Sequence, residues 1–411
     1  MPPSAAGGIF LASMAPDLHW NGHFGFPFWT ASLDTRKHLP QLDGLRAFAI
    51  LPVLLTHSWP DYPSFTWLGK LGPAGWIGVD LFFVLSGFLI TGILIDAKGS
   101  ENYFRNFYVR RGLRIWPLYF AMLFYMFVIV PRIGKWGAEQ FDTKHFAWYY
   151  YFIYVQNFLF GTHGPFPLAV TWSLAIEEHF YLVWPLVVAF AKREHLAKIL
   201  IGFIVVVTLG RYFGMHHFAN AHNSFFRMDE MAYGALIACW MRSESFSATK
   251  LRKWSMVGAW AIVPTVYWIL TQTDWSWLRS HGVVYVLLSI GFTSWLGLAL
   301  TASDGSLLMR LLNNRFLRYT GKISYGLYIF HPIFFPYYKG WALFRWSNGL
   351  QNRFVGDLVT LVAEFALLYL VATISWRLFE QPILRLKKRF GADNRRQPIT
   401  IPEAEVELAE A

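Results

Sequence analysis

The sequence has a single cysteine, Cys239, and few charged residues. One cysteine excludes an intrachain disulfide and any metal site built from several cysteines. Charged residues make up only 15% of the 411 residues, whereas soluble domains carry about a quarter. The chain is 55% hydrophobic and 19% aromatic, which is typical of a protein with aromatic belts at two membrane surfaces. We therefore expect a membrane protein.

Several common signatures are also missing. The sequence has no Walker loop, no dinucleotide-binding glycine motif and no GxSxG nucleophile elbow. Residues 1–20 contain no Lys or Arg and no sustained apolar run, so they do not predict a signal peptide. The net charge of +11 could indicate nucleic acid. The basic residues stand in short runs between apolar stretches, however, and this favours the positive-inside arrangement of a membrane protein without a nucleic-acid partner.

Long apolar runs predict an all-α polytopic membrane protein with about ten transmembrane helices. The runs cover residues 43–60, 74–95, 113–131, 172–191, 195–213, 225–242, 252–270, 281–301, 322–340 and 355–378. A further stretch at 146–160 is short and aromatic. If it crossed the membrane, the bias of Lys and Arg toward one side would largely vanish, so we interpret it as an interfacial helix.

The same charge bias predicts the domain organisation. We expect a cytoplasmic lead-in at 1–40, a membrane domain at 41–385 and a cytoplasmic tail at 386–411. The tail ends in an acidic stretch and is predicted to be disordered.

Two ionisable residues interrupt the first apolar run, DGLRAFAILPVLLTHSWP. Arg46 and His57 are spaced so that they lie within about 20° of one helix face and about 16 Å apart along the axis. Ionisable residues in a span are costly to bury and point to function. Snorkelling of Arg46 to the surface and an interfacial position for His57 are the structural alternatives. In the second run, Asp80 could orient a histidine, neutralise an arginine or serve structure alone.

Three arginines, Arg110, Arg111 and Arg114, stand at the start of the third run, NFYVRRGLRIWPLYF. Arg111 and Arg114 are neighbours on one helix surface. A pair of guanidiniums suits a phosphorylated ligand, because Arg binds phosphate through two hydrogen bonds. An ordinary positive-inside anchor would use the same residues.

The run TWSLAIEEHFYLVWP carries three adjacent ionisable residues, Glu177, Glu178 and His179. Successive side chains point about 100° apart, so they cannot all face one pocket, and Glu178 shares a face with Tyr181. Such a cluster is rare in a membrane span and indicates function.

Polar residues also mark the last two runs. In KISYGLYIFHPIFF, Ser324 and His331 lie on one helix face with Tyr328 between them. In SWRLFEQPI, Arg377 and Glu380 predict a structural ion pair. The histidines of MHHFANAH fit no common zinc spacing, so no metal site is predicted.

Taken in order, these motifs resemble the acyltransferase-3 family of membrane acyltransferases over residues 41–385. The spacing of Arg46 and His57 and the Arg111–Arg114 pair fit family patterns, and GVDLFFVLSGFLI, TWSLAIEEHFYL, ISYGLYIFH and FEQP look like family signatures. His179 departs from the pattern, since many relatives have Gln there. The resemblance is to stand-alone, O-acetyltransferase-like members without an extracytoplasmic hydrolase-like domain. It implies ten spans in a bacterial inner membrane, with both termini cytoplasmic.

The resemblance also implies an activity. Family members transfer an acyl group, most often acetyl, from cytoplasmic acyl-CoA to a hydroxyl of a carbohydrate or natural product. Arg110, Arg111 and Arg114 would then hold the CoA phosphates, and Arg46 would position the donor or stabilise the oxyanion. His57 would act as the general base or carry the acyl group itself.

Glu178 would complete the catalytic set by fixing the pocket and biasing the protonation of His57, together with Asp80. The other pocket residues implied by the motifs are Ser86, Trp172, Ser173, Tyr181, Ser324, Tyr328 and His331. A transporter or flippase that uses its buried charges as a substrate path is the alternative. A structural membrane subunit would leave the Glu177–Glu178 pair unexplained.

Overall fold

The regular structure is entirely helical in the part of the chain that the computed structural model describes, and this confirms the predicted all-α class. The described residues are 39–58, 72–132, 147–159, 166–213, 222–271, 282–334, 349 and 353–390. All of them belong to one compact unit, 34–399. The predicted lead-in and the tail beyond residue 390 lie outside the described residues.

The described α-helices are numbered here in chain order. They are α1 (Pro40–Ser58), α2 (Ile77–Ala97), α3 (Tyr103–Phe124), α4 (Trp148–Phe152), α5 (Gln156–Leu159), α6 (Phe166–Ala169), α7 (Trp172–Phe190), α8 (Arg193–Tyr212), α9 (Met228–Trp240), α10 (Ala248–Gly258), α11 (Ile262–Thr271), α12 (Val283–Leu300), α13 (Leu307–Leu312), α14 (Arg315–Lys322), α15 (Ser324–Phe334), α16 (Arg353–Ser375) and α17 (Gln381–Arg385). Short 3-10 segments lie at Gly72–Trp76, Val130–Arg132, Ser224–Phe226, Ala259–Ala261 and Leu386–Phe390, and π segments at Tyr125–Ile129 and Trp376–Glu380.

Within the described residues, six helical stretches are long and apolar enough to cross a membrane. They are Ala74–Ala97, Tyr103–Arg132, Pro167–Phe190, Arg193–Tyr212, Val283–Leu300 and Phe354–Arg385. The other predicted spans also contain helix, but α9 has 13 residues and α15 has 11, less than the roughly 17 residues a span needs. The count of about ten spans therefore stays a prediction.

The aromatic stretch at 146–160 is not a single helix. It forms α4 and α5, with 5 and 4 residues, and the chain turns between them at Tyr154, whose φ is 60°. Tyr151 is buried and its carbonyl accepts a hydrogen bond from the Tyr119 hydroxyl at 2.8 Å, whereas Trp148 and Phe152 are exposed. Neither helix is long enough to cross a membrane, and the interfacial placement stays a prediction.

Local sequence signals explain where several helices begin. Pro40 is the first residue of α1 and Asp43 lies in its first turn, both favoured positions at a helix N-terminus. The side chain of Asn314 accepts a hydrogen bond from the backbone N–H of Phe316 at 2.9 Å at the start of α14, and that of Ser306 caps α13 in the same way.

The helix α2 is the most buried of the six long stretches. Its backbone approaches α9 closely at Gly87, where an added Cβ would lie 1.9 Å from the carbonyl oxygen of Met231. Small residues permit this approach, which membrane helices use to gain packing contacts. At one end of the molecule, α1 packs against α14 just as closely, since a Cβ on Gly321 would lie 1.8 Å from the carbonyl oxygen of Asp43.

The C-terminal end of the described chain differs from two expectations. The predicted Arg377–Glu380 ion pair is not among the ion pairs of the described residues; the Glu380 carboxylate instead accepts a hydrogen bond from Ser375 at 3.1 Å. The π segment Trp376–Glu380 adds a residue to that turn and so changes which side chains share a face. The first residues of the predicted tail, Leu386–Phe390, form a 3-10 segment that packs against α3.

Candidate active site

A cavity of about 980 Å³ lies among the ends of α1, α2, α3, α9 and α14. Its cationic lining consists of Arg46, Arg110, Arg111, Arg114, Arg242, Arg315, Arg318, Lys322 and Lys387. The four arginines that the sequence assigns to the donor are thus brought to one cavity. Apolar surface comes from side chains that include Phe88, Phe107 and Trp376.

Two carboxylates of the lining are already engaged by arginines. Asp43 accepts a hydrogen bond from Arg46 at 3.0 Å. Asp96 accepts two from Arg242, at 2.7 Å and 2.8 Å. Because the cationic side chains outnumber these two carboxylates among the described residues that line the cavity, it carries a large excess of positive charge. A cavity of this kind favours a ligand with several negative charges.

The pKa of Lys387 reflects both its burial and this positive field. Burial is the largest cause and the guanidiniums of Arg114, Arg111, Arg110 and Arg46 add to it; together they lower the pKa of the ammonium group to about 7. An ammonium group normally titrates near 10.4. In the absence of a ligand, repulsion from the arginines therefore disfavours the charged form of the Lys387 side chain.

At the far end of α1, His57 faces His331 of α15, with the two ring centroids 4.9 Å apart. The Nδ1 atom of His57 is 2.9 Å from the carbonyl oxygen of Val53. A carbonyl only accepts, so Nδ1 carries the proton and Nε2 is left as the basic nitrogen of the neutral ring. His331 is completely buried, and its Nδ1 is 3.3 Å from the carbonyl oxygen of Leu327.

The two histidines and Arg46 do not share one pocket. Arg46 lines the cavity at the start of α1, and His57 lies in its last turn. The residue spacing corresponds to about 16 Å along a helix. Any group held in the cavity must therefore reach far along α1 to meet the histidines.

Tyr328 connects the histidine pair to α7. Its ring centroid is 5.6 Å from that of His331. The Tyr328 hydroxyl donates to the carbonyl oxygen of Val170 at 2.7 Å and lies 2.7 Å from the Ser173 hydroxyl, which leaves Ser173 as the donor of that second bond. Ser324, one turn earlier on α15, is buried as well.

Glu177 lies one turn after Ser173 on α7 and receives two hydrogen bonds. The Ser86 hydroxyl of α2 donates to it at 3.0 Å, and the Tyr181 hydroxyl donates at 2.8 Å. The Arg111 guanidinium lies over the Tyr181 ring, 5.2 Å from its centroid. Ser173, Glu177 and Tyr181 thus form a polar track along α7, about 12 Å long, which runs from the histidine pair to the cavity.

The carboxylate in this track is Glu177, although the sequence favoured its neighbour. Glu178 accepts a hydrogen bond from Trp116 at 3.4 Å, on a different side of α7. Tyr181 bonds Glu177 because positions four apart on a helix share a face as well as positions three apart do. His179 points elsewhere again: its ring stacks on Phe158, with centroids 5.2 Å apart, and Nδ1 is 2.6 Å from the Ser224 hydroxyl.

Asp80 neutralises an arginine, which was one of the roles considered for it. It forms an ion pair with Arg227, and Arg227 also contacts Glu230 at 2.7 Å. The Arg227 guanidinium stacks over the Tyr285 ring at 4.4 Å and over the Trp172 ring at 5.4 Å. Trp172 is therefore placed next to this buried charge cluster rather than at the cavity.

Sequence reasoning missed most of this cluster. Arg211 and Arg227 are both buried, and Arg211 forms an ion pair with Asp229. The signal was the string FFRMDEM, which puts three ionisable residues inside an apolar run. Such residues cost too much to bury unpaired, so their presence predicts buried partners.

The structure contains no group of three or more His, Cys, Asp or Glu side chains arranged to hold a metal ion within its described ranges. His216 and His217 lie outside those ranges. His222 is described, and its ring packs edge-on against Trp172 with centroids 4.7 Å apart.

Comparison with known proteins gives one family. The family model described as an acyltransferase domain matches residues 39–377. YrhL of Bacillus subtilis is 28% identical over 374 residues, which cover 84% of this chain and 55% of that protein. The peptidoglycan O-acetyltransferase OatA of Listeria monocytogenes is 26% identical over 367 residues, 85% of this chain and 56% of that protein.

The O-acetyltransferase OatA of Staphylococcus aureus is 30% identical over 383 residues, 87% of this chain and 58% of that protein. The chain thus spans a little over half the length of these relatives. No solved structure matches.

Proposed function

Because the chain belongs to the acyltransferase-3 family, we propose that it moves an acetyl group from acyl-CoA to a hydroxyl group of a carbohydrate acceptor. The observation that carries the proposal is the polar track of α7, which joins a cationic cavity to a histidine pair. The names of relatives support the same reaction, since two are O-acetyltransferases and one of these acts on peptidoglycan.

The cavity is the proposed donor site. CoA is a polyanion, and Arg110, Arg111 and Arg114 supply guanidiniums that can bind its phosphates through paired, charge-assisted hydrogen bonds. Arg46 contributes a further guanidinium, held in place by Asp43. The acyl arm then extends beside α1 toward His57.

The histidine pair is the proposed place of reaction. Nε2 of His57 takes the proton of the acceptor hydroxyl as that oxygen attacks the thioester carbonyl. The new C–O bond forms, the C–S bond breaks, and CoA leaves as the thiolate, which takes up the proton from the imidazolium. An acyl group carried first by the histidine is the other route that the same residue allows. His331 packs against the His57 ring, with the ring centroids 4.9 Å apart, and helps to keep it in place.

The membrane arrangement is part of the proposal. The ends of α1, α2, α3, α9 and α14 that form the cavity adjoin the loops richest in Lys and Arg. The positive-inside rule assigns such loops to the cytoplasm, where acyl-CoA is found, and places both termini there. The histidine pair then lies toward the outer surface of a bacterial inner membrane.

The test is transfer of labelled acetyl from acetyl-CoA by membranes that contain the full chain. His57→Gln should lower the transfer rate by about 10²–10⁴-fold, because glutamine keeps hydrogen bonding but has no basic nitrogen. His195→Gln, at an exposed histidine of α8, is the matched control and should be as active as the wild type. Near-normal transfer by His57→Gln would contradict the proposal, and movement of an acceptor across the membrane without acetylation would favour the transporter alternative.

A further inference from the structure

The α14 wall of the cavity consists of Arg315, Arg318 and Lys322. We propose that this wall binds a phosphate group separate from the one held by Arg111 and Arg114. The ligand class is then a nucleotide that carries both a diphosphate and a ribose phosphomonoester. The inference rests on the proposed function and assigns the phosphomonoester to residues that the sequence analysis did not assign to any ligand.

The three side chains share one face of α14. Their spacing of three and four residues puts them in a row on a helix, and all three line the cavity. The helix that carries them is fixed in two ways. Asn314 caps its first turn, and Gly321 brings its last turn against the backbone of α1. The helix thus presents the three exposed cations to the cavity as one row.

Among the described residues, no carboxylate forms an ion pair with the wall. The ion pairs of the cavity that involve described residues are Arg46–Asp43 and Arg242–Asp96, and neither includes a residue of α14. Lys322 lies over the ring of Trp376, with Nζ 5.4 Å from the centroid. The contact holds the ammonium group in place without removing its charge.

With the wall included, the cavity has more cationic side chains than a single phosphate site requires. Arg110, Arg111 and Arg114 project from α3, a different element of the lining, and suffice for a diphosphate. The cavity volume of about 980 Å³ is at the upper end of the range for ligand pockets, about 300–1,000 Å³. It can hold a ligand whose anionic groups are well separated.

An anionic lipid headgroup offers the same phosphate chemistry at a membrane surface. The experiment therefore uses the full chain in nanodiscs of zwitterionic lipid, with bound labelled acetyl-CoA as the readout. CoA and 3′-dephospho-CoA, which differ only in the phosphomonoester, serve as competitors. The wild type should prefer CoA by about tenfold, the usual effect of one charge-assisted contact.

The double variant Arg315→Gln, Arg318→Gln should lose this preference by binding CoA more weakly and 3′-dephospho-CoA as before. Arg111→Gln with Arg114→Gln should weaken both competitors alike. Arg310→Gln, at an exposed arginine of α13 that does not line the cavity, is the matched control and should keep the preference. Lys322→Gln should lower the preference as well, and it tests the wall if the double variant does not fold.

Equal affinity of the wild type for the two competitors would overturn the inference and leave the proposed function standing. The α14 variants could keep the preference for CoA and lose binding of anionic lipid instead. That result would show that the wall contacts lipid, and it would overturn the inference. If acetyl-CoA does not bind at all, the proposed function fails and the inference fails with it.

Discussion

Adjacent residues of α7 have different surroundings, and at the residue scale this leads us to propose Glu177 as the carboxylate that serves the site. Glu177 joins α2 to α7 by accepting hydrogen bonds from Ser86 and Tyr181. Glu178 accepts one long bond from Trp116. The sequence located the pair, because ionisable residues inside a span are conspicuous. It favoured Glu178, because the position of Ser86 on another helix, which distinguishes the two, is not visible in the sequence.

Glu177→Gln should therefore lower acetyl transfer about tenfold or more, while Glu178→Gln should have a much smaller effect. Glutamine at position 177 presents an amide donor to two hydroxyl donors and removes the charge that strengthens both bonds. The transfer rate of each variant in membranes, at matched protein amounts, checks the comparison. A larger loss in Glu178→Gln would restore the assignment made from sequence.

Lys387 predicts a dependence of CoA binding on pH. Its pKa of about 7 in the ligand-free protein rises when phosphates enter the cavity, because an anion stabilises the ammonium form. Affinity should therefore be highest below about pH 7 and fall as pH rises above it, where binding must include uptake of a proton. Equilibrium binding of CoA between about pH 6 and about pH 9, at constant ionic strength, measures the effect.

Two variants separate Lys387 from the titration of the ligand itself, whose phosphomonoester has a pKa of about 6. Lys387→Met should bind CoA weakly over the whole range and lose the fall above pH 7. Lys387→Arg should keep a high affinity for CoA well above pH 7, because the guanidinium group keeps its charge. A wild-type affinity that is flat between pH 7 and pH 9 would rule out this role for Lys387.

At the element scale, the contact between α2 and α9 depends on the absence of a side chain at Gly87. A Cβ there would lie 1.9 Å from the carbonyl oxygen of Met231, and backbone cannot move aside as a flexible side chain does. Gly87→Ala should destabilise the protein by about 1–3 kcal/mol, the usual cost of overpacking. Gly202→Ala on α8, where an added Cβ meets nothing within 4 Å, is the control.

Thermal unfolding in detergent, followed by the loss of monodisperse protein on a sizing column, compares the two alanine variants. Gly202→Ala should unfold at the wild-type temperature or slightly above it, since alanine favours helix over glycine. If Gly87→Ala is as stable as Gly202→Ala, the two backbones are not in contact at this point.

Periodicity and run length predicted most helices well, because apolar runs and helix-breaking residues are local properties. They failed where tertiary contacts decide the outcome. The helical path of the stretch 146–160 breaks at Tyr154. Asn157 is buried, and its side-chain amide donates a hydrogen bond to the Ser224 hydroxyl at 2.9 Å. The pairing of Arg227 with Asp80 joins residues 147 positions apart, and no local pattern specifies such a partner.

At the scale of the whole molecule, the membrane arrangement is open to a direct test. A reporter inserted after Arg114 or after Lys253 should report cytoplasm, and one at Gly164, outside the described residues, should report the opposite side. The reason is that the loops rich in Lys and Arg stay inside. An outside signal at Lys253 would mean either that 146–160 crosses the membrane or that one of the short helices predicted to cross it does not.

The close contact between α1 and α14 has a mechanical consequence. Gly321 brings the last turn of α14 into close backbone contact with the first turn of α1. His57 lies at the other end of α1. Pro52 removes one backbone hydrogen bond between the two ends of α1, so the helix can bend at this position. We therefore expect a ligand that draws α14 toward the cavity to move the first turn of α1 as well, so that a change in the orientation of the His57 ring would report occupancy of the cavity.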